Sequence, residues 1–223
     1  MQKRQQGFTL IEIAIVLVII GLLLGGVLKG QELIQNARVR NVIAQQDGVK
    51  AAFFGFQDRY RGVPGDYLPA SATANIPGAG ASSCGGDGDG LIEAATTGTS
   101  EDICAWYHLS RAGFITGNYS GSGFAATTAN SPANPFGGLM QLVWDGVFEA
   151  AGTSKVTNIK TGSNIPASLL AEVDRKIDDG LPETANFRYS SFNSSGTCIT
   201  GAAGAKIWSI DTTATQCGGV SLF

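Results

Sequence analysis

Three sets of residues in this chain have types and spacings suited to chemistry. The first is a lone carboxylate: from Phe8 to Leu28 the only charged residue is Glu12. That run has the length of a membrane span, and an acid inside one costs about 2.5–3.5 kcal/mol on insertion scales, so it calls for a partner. The second is Gly85-Gly86-Asp87-Gly88-Asp89-Gly90-Leu91-Ile92-Glu93. Asp87, Asp89 and Glu93 in a glycine-rich loop offer oxygen ligands to calcium. The spacing is not that of an EF-hand: the third ligand is missing and the glutamate comes early. A solvated acidic turn is the competing reading. The third set is Cys84, Cys104, Cys198 and Cys217, which lack a Cys-x-x-Cys pair and so do not read as a zinc site. An even count in an exported domain predicts two disulfides, with three connectivities open. The sequence-local pairing, Cys84 with Cys104 and Cys198 with Cys217, closes two loops of about 20 residues, each worth roughly 3 kcal/mol in the chain-entropy model.

Other chemistry is poorly supplied. The single histidine, His108, sits beside Trp106 and Tyr107 and reads as a packed or surface residue rather than a catalytic one. No Gly-x-Ser-x-Gly elbow or phosphate loop is present, so an enzyme is not expected. A net charge of −3 and a pI near 5.1 argue against nucleic acid as a partner. Trp106, Trp144 and Trp208 are expected in the core.

These residues must be positioned by two kinds of material. After Lys29 the apolar run gives way to a stripe: Val42, Val49, Phe53, Phe56 and Tyr60 recur at helical spacing, and no proline occurs before Pro64. The spacing predicts one helix over 8–61, apolar all round in its first half and on one face in its second. Its glycines permit either local bending or close helix approach. Residues 62–223 are rich in glycine, serine, threonine and alanine, and the chain has 31 glycines in all. With 43% hydrophobic residues this part can still bury one core. Pro64-Gly65-Asp66-Tyr67-Leu68-Pro69 ends the long helix, and a loop is expected from there to about Gly90. Short helices are predicted over 101–113 and 166–180, the second with proline in its first turn. Strands are predicted over 139–143, 147–148, 187–192 and 206–210. Asp178 and Asp179 near a helix end oppose its dipole and invite a cation or a basic neighbour, with a helix-end turn that holds no ligand as the favoured reading. The fold class is therefore α+β.

The amino terminus carries the most specific signal. Lys3 and Arg4 precede Gly7, and Phe8-Thr9-Leu10-Ile11-Glu12 follows it. This arrangement resembles the processing site of type IV prepilins and of type II secretion pseudopilins. The resemblance implies a leader of residues 1–7, cleavage after Gly7 by a prepilin peptidase that also N-methylates Phe8, and an assembly role for Glu12. It implies a helix over 8–61 and a head over 62–223, in a pilin-like fold with a long helix packed on a small antiparallel sheet. A disulfide loop near the carboxyl end resembles the variable loop of many pilins, and several pseudopilin heads bind calcium in a loop. The implied partners are copies of the chain itself in a helical filament, an inner-membrane assembly platform, and membrane lipid before assembly.

Bottom-up, a new α-ammonium on Phe8 lies close to its own Glu12, but a neighbour shifted along the axis places its ammonium against this carboxylate. In an apolar interior such a pair penalises wrong axial offsets, since a broken pair leaves a buried charge. A secretory signal peptide fits less well, because the apolar run is too long and lacks a clear small-residue cleavage site. Cations flank the span on both sides, so charge does not orient it. Disulfides would place the head on the periplasmic or extracellular side. The expected product is a pilus subunit; a secretion pseudopilin and a monomeric membrane-anchored binding module are the alternatives.

Overall fold

A computed structural model describes residues 9–79, 84–148, 154–211 and 213–223. Gly7 and Phe8 lie outside the described residues. Helix α1 runs from Leu10 to Tyr60 and supplies residues to two compact units, Met1–Arg38 and Val39–Phe223.

In the first unit α1 is apolar without a buried face. Its most hydrophobic stretch has a mean hydropathy of 2.8, and none of that stretch is buried within the chain. Ile13, Val16, Leu17, Ile20, Leu23 and Leu24 are all exposed. So long an uncovered apolar surface is unstable in water and calls for lipid or other helices around it. Beyond it, Lys29 pairs with Glu32 one turn on, at 2.7 Å.

In the second unit the expected stripe is buried. Val42, Val49, Phe53 and Phe56 are in the core and Tyr60 packs at its margin. Phe56 is fully buried, and a side chain of that size contributes about 1.5–3 kcal/mol through burial. Helix α2 (Pro69–Asn75) follows, then α3 (Glu101–Arg111), strand β1 (Gln141–Asp145), β2 (Val156–Lys160), α4 (Ala167–Ile177), β3 (Phe187–Ser195), β4 (Ile199–Thr200), β5 (Ile207–Trp208) and β6 (Gln216–Leu222). Four strands form an antiparallel sheet in the order β1-β2-β6-β3, and β4 and β5 form a separate pair. One core joins α1 and α3 through Phe53, Phe56, Trp106 and Leu109 to Leu142 and Ile159 of the sheet. The other joins Val39 and Val42 of α1 to Leu170 and Val173 of α4, with Phe187 and Trp208. A long helix, a small antiparallel sheet and two disulfides make this a pilin-like α+β fold.

Several expectations are corrected. The loop from Pro69 to Gly90 begins with α2, because Pro69 suits a first helical turn and the Ala-rich stretch after it continues one. Residues 147–148 are not a strand, while 139–143 shifts to Gln141–Asp145 and 206–210 shortens to Ile207–Trp208. Pro166 is the N-cap of α4 rather than part of its first turn. Strands β2 and β6 were not expected from composition. β6 contains Gly218 and Gly219, poor strand formers, yet it lies in the middle of the sheet. Gly219 has a packing reason: a Cβ there would come within 2.4 Å of the Phe187 ring. Trp144 is only half-buried and lies under Lys155 Nζ at 4.5 Å, whereas Trp106 and Trp208 are in the core.

Candidate functional site

The helix start is built by Thr9 and Glu12. Thr9 precedes the first helical residue, Leu10, and its backbone N–H donates to Glu12 Oε2 at 2.8 Å. The Thr9 hydroxyl donates to the same oxygen at 2.7 Å, and the Glu12 N–H approaches the hydroxyl oxygen at 3.3 Å. This is a reciprocal capping box, legible in Thr9-x-x-Glu12 as a local spacing although the assembly role of Glu12 hid it. It offers the carboxylate a partner within its own chain. One lone pair set remains on Oε1 for a second partner.

The acidic loop is built in the second unit from three separate stretches. Cys84 at its start is bonded to Cys104 on α3, and Cys198 is bonded to Cys217, the sequence-local pairing. The loop folds over Asp66, a buried residue from the turn after α1. Gly88 N–H donates to Asp66 Oδ1 and Gly90 N–H to Oδ2, each at 2.7 Å. Asp87 and Asp89 each accept a backbone N–H two residues on, from Asp89 at 3.2 Å and Leu91 at 2.9 Å. One carboxylate oxygen from each of Asp66, Asp87 and Asp89 lies within 4.8 Å of the other two. Glu93 is outside this group, correcting its expected ligand role; its backbone N–H instead donates to Glu101 Oε2 at 2.8 Å. Asp66 could not be found from sequence because it lies a helix and a loop away from Asp87.

Two titrating groups frame this loop. Burial first, and then the charges of Asp66, Asp87 and Asp89, push the Glu101 carboxyl up to about 6, against one backbone N–H that lowers it. Gly86 allows this approach, since a Cβ there would fall 2.3 Å from Glu101 Oε1. His108 is fully buried, with its ring parallel to that of Phe56. Its Nδ1 accepts the Gly65 N–H at 3.0 Å, so the neutral ring carries its proton on Nε2, 3.3 Å from the Cys84 carbonyl. Burial pushes its pKa down to about 4. His108 is thus a packed residue that ties the turn after α1 to the first disulfide. An open cavity of about 430 Å³ adjoins the loop, lined in part by Arg61, Asp66, Tyr67 and Gly88.

Asp178 and Asp179 have structural partners. Asp178 Oδ2 accepts the N–H groups of Asn186 and Phe187 at 2.6 and 2.9 Å, and Asp179 Oδ1 accepts that of Leu181 at 2.9 Å. They organise the turn into β3, and Lys50 near Asp178 and Arg188 near Asp179 are the basic neighbours that these acids invite.

Residues 2–28 match the prokaryotic N-terminal methylation motif. No curated protein and no solved structure matches the chain. The matched segment spans Lys3 and Arg4, the Gly7–Phe8 junction, Glu12 and the apolar start of α1. The chain thus carries a methylation motif of the kind found at the start of type IV pilin-like prepilins, followed by a helix long and apolar enough to cross a membrane.

Proposed function

We propose that this protein is a structural subunit of a type IV pilus or a closely related filament, and not an enzyme. Prepilin peptidase cuts it after Gly7 and N-methylates Phe8, leaving a helix over 8–61 and a head over 62–223. The precursor stands in the inner membrane with its head in the periplasm, an orientation supported by two disulfides. An assembly platform then moves subunits into a filament held together by α1. The observation that carries this reading is the methylation motif running directly into an apolar helix that the chain itself leaves uncovered. Intact mass and amino-terminal sequencing of protein from sheared filaments test it. The expected species begins with methylated Phe8; a monomer that keeps Met1 overturns the reading in favour of a simple anchor.

A pseudopilin of a secretion system is the second reading, and the carboxylates gathered at the acidic loop favour it. Deletion separates the two: loss of surface filaments marks a pilus subunit, and loss of export of folded proteins marks a pseudopilin.

In either reading the loop takes a calcium ion between Asp66, Asp87 and Asp89. Asp66 gives one lone pair on each oxygen to a backbone N–H and keeps another for a cation. The ion offsets mutual repulsion among these carboxylates and Glu101. At calcium 100-fold above Kd the head gains about 2.7 kcal/mol, a Tm rise of about 5–10 °C for a domain of this size. Chelation should remove that rise in the wild type and change nothing in an Asp87→Ala, Asp89→Ala variant. Equal melting with and without chelator in the wild type rules the ion out.

A further inference from the structure

We propose that Lys160 and Asp145 join in an intramolecular amide bond, from Lys160 Nζ to Asp145 Cγ, that ties β2 to β1. Lys160 is 1% exposed, unusual for a lysine, and its ammonium contacts Asp145 Oδ2. The two residues come from adjacent strands, in which Gln141 faces Lys160 and Asp145 faces Val156. The polar neighbours match a secondary amide as well as they match an ion pair. Lys160 Nζ donates to Gln141 Oε1 at 2.9 Å, a position suited to the N–H of an amide. Asn158 Nδ2 donates to Asp145 Oδ1 at 3.0 Å, a position suited to its carbonyl.

Those two neighbours are themselves held in place. Gln141 Nε2 donates to buried Asp102 Oδ2 at 2.8 Å, which turns Gln141 Oε1 towards the lysine. Asn158 is fully buried, and its Nδ2 also donates to the Val156 carbonyl at 2.8 Å. The Phe192 ring covers the amine, with Nζ 5.2 Å from its centre.

Burial pushes the Lys160 pKa down against the pull of Asp145 and Asp102, which favours the free amine that attacks. The ammonium first passes one proton to the Asp145 carboxylate, giving a neutral amine and a carboxylic acid. Nζ then bonds to Cγ, with the developing charge on Oδ1 facing the Asn158 N–H. The second proton moves from nitrogen to the Oδ2 hydroxyl, the Cγ–Oδ2 bond breaks, and one water leaves. No oxidant or activating group is consumed. The product replaces two charges in a poorly solvated site by one neutral, fully hydrogen-bonded group, which is the direction burial favours.

The test is peptide mapping of full-length protein purified from its membrane in detergent, then reduced, alkylated and digested with trypsin. The expected result is a branched peptide that contains both residues, uncut after Lys160 and lighter by one water. A Lys160→Met variant should yield the Asp145 peptide at its full mass. Unlinked Asp145 and Lys160 peptides at full mass from the wild type overturn the proposal, whatever the variant does. A water lost from the Asp145 peptide with cleavage after Lys160 intact also overturns it, because that pattern marks a cyclic imide at Asp145-Gly146.

Discussion

Filament yield should fall to background when Glu12→Val is the only subunit expressed, while the leader is still removed. On the proposed function the peptidase reads the junction at Gly7 and Phe8, which the substitution leaves intact. Assembly is different, because within the apolar run from Phe8 to Leu28 only the carboxylate distinguishes one axial offset from another. Placing a charged group in a membrane-like interior costs about 2.5–3.5 kcal/mol, and a neighbouring subunit's Phe8 ammonium offsets that cost only at the right offset. The Thr9 cap engages Oε2 and lets the subunit wait in the membrane without an unpartnered acid. Valine removes both the cost and the reward, so packed helices lose their preferred register. The measurement is the mass of sheared filaments per cell beside the ratio of processed to unprocessed subunit. Normal yield of Glu12→Val filaments ends the register argument.

A Glu101→Gln variant should lose stability in mild acid much more steeply than the wild type. His108 has its folded pKa depressed to about 4 from an ordinary 6.5, with the Gly65 N–H, the Cys84 carbonyl and the Phe56 ring facing it. Its contribution is complete above pH 6.5 and is lost as pH falls towards 4, because the unfolded chain takes a proton there that the folded ring refuses. The loss across that window is about 3 kcal/mol. Glu101 and Asp174 act in the opposite sense. Burial first raises both carboxyls to about 6, so their contribution is present below the unfolded value and is lost as pH rises through 6. Acid therefore weakens the head through His108 and strengthens it through these two, and the wild-type profile is shallow between pH 4 and 6.5. Removing Glu101 takes away one compensating group. Urea midpoints at pH 4.5 and 6.5, all taken in chelator so that no cation offsets the neighbouring carboxylates, measure this directly; a variant with the same difference as the wild type contradicts the assignment.

Asp174 also shows how a helix and a distant strand were joined without a local signal. Its Oδ2 accepts the indole N–H of Trp208 at 2.6 Å, across 34 residues, and its Oδ1 accepts Gly180 N–H at 3.2 Å. Nothing in the composition around either residue marks that pair. The same holds for β2, where Asn158 and Lys160 point into a buried polar network although a strand's inward face usually reads as apolar. The short helices over 101–113 and 166–180 were readable because the acids at the start of the first, the proline at the start of the second and the glycine that ends each lie within the segment itself. Strand β6 was hidden by its two glycines, whose value appears only when the Phe187 ring is laid against Gly219 and the Gly162 carbonyl against Gly218.

Sequence alone therefore determined the amino-terminal part of this protein's identity: a basic start, a Gly–Phe junction, one acid, and an apolar run that turns into a stripe. Those are properties of consecutive residues, and hydrophobic periodicity and charge cost act along the chain. Tertiary structure alone decided that Asp66 joins Asp87 and Asp89, that Glu93 stands apart, and that Lys160 lies buried against Asp145. Each of these depends on which backbone returns to which neighbour, and that choice is made by the summed burial of two cores rather than by any residue's own preference.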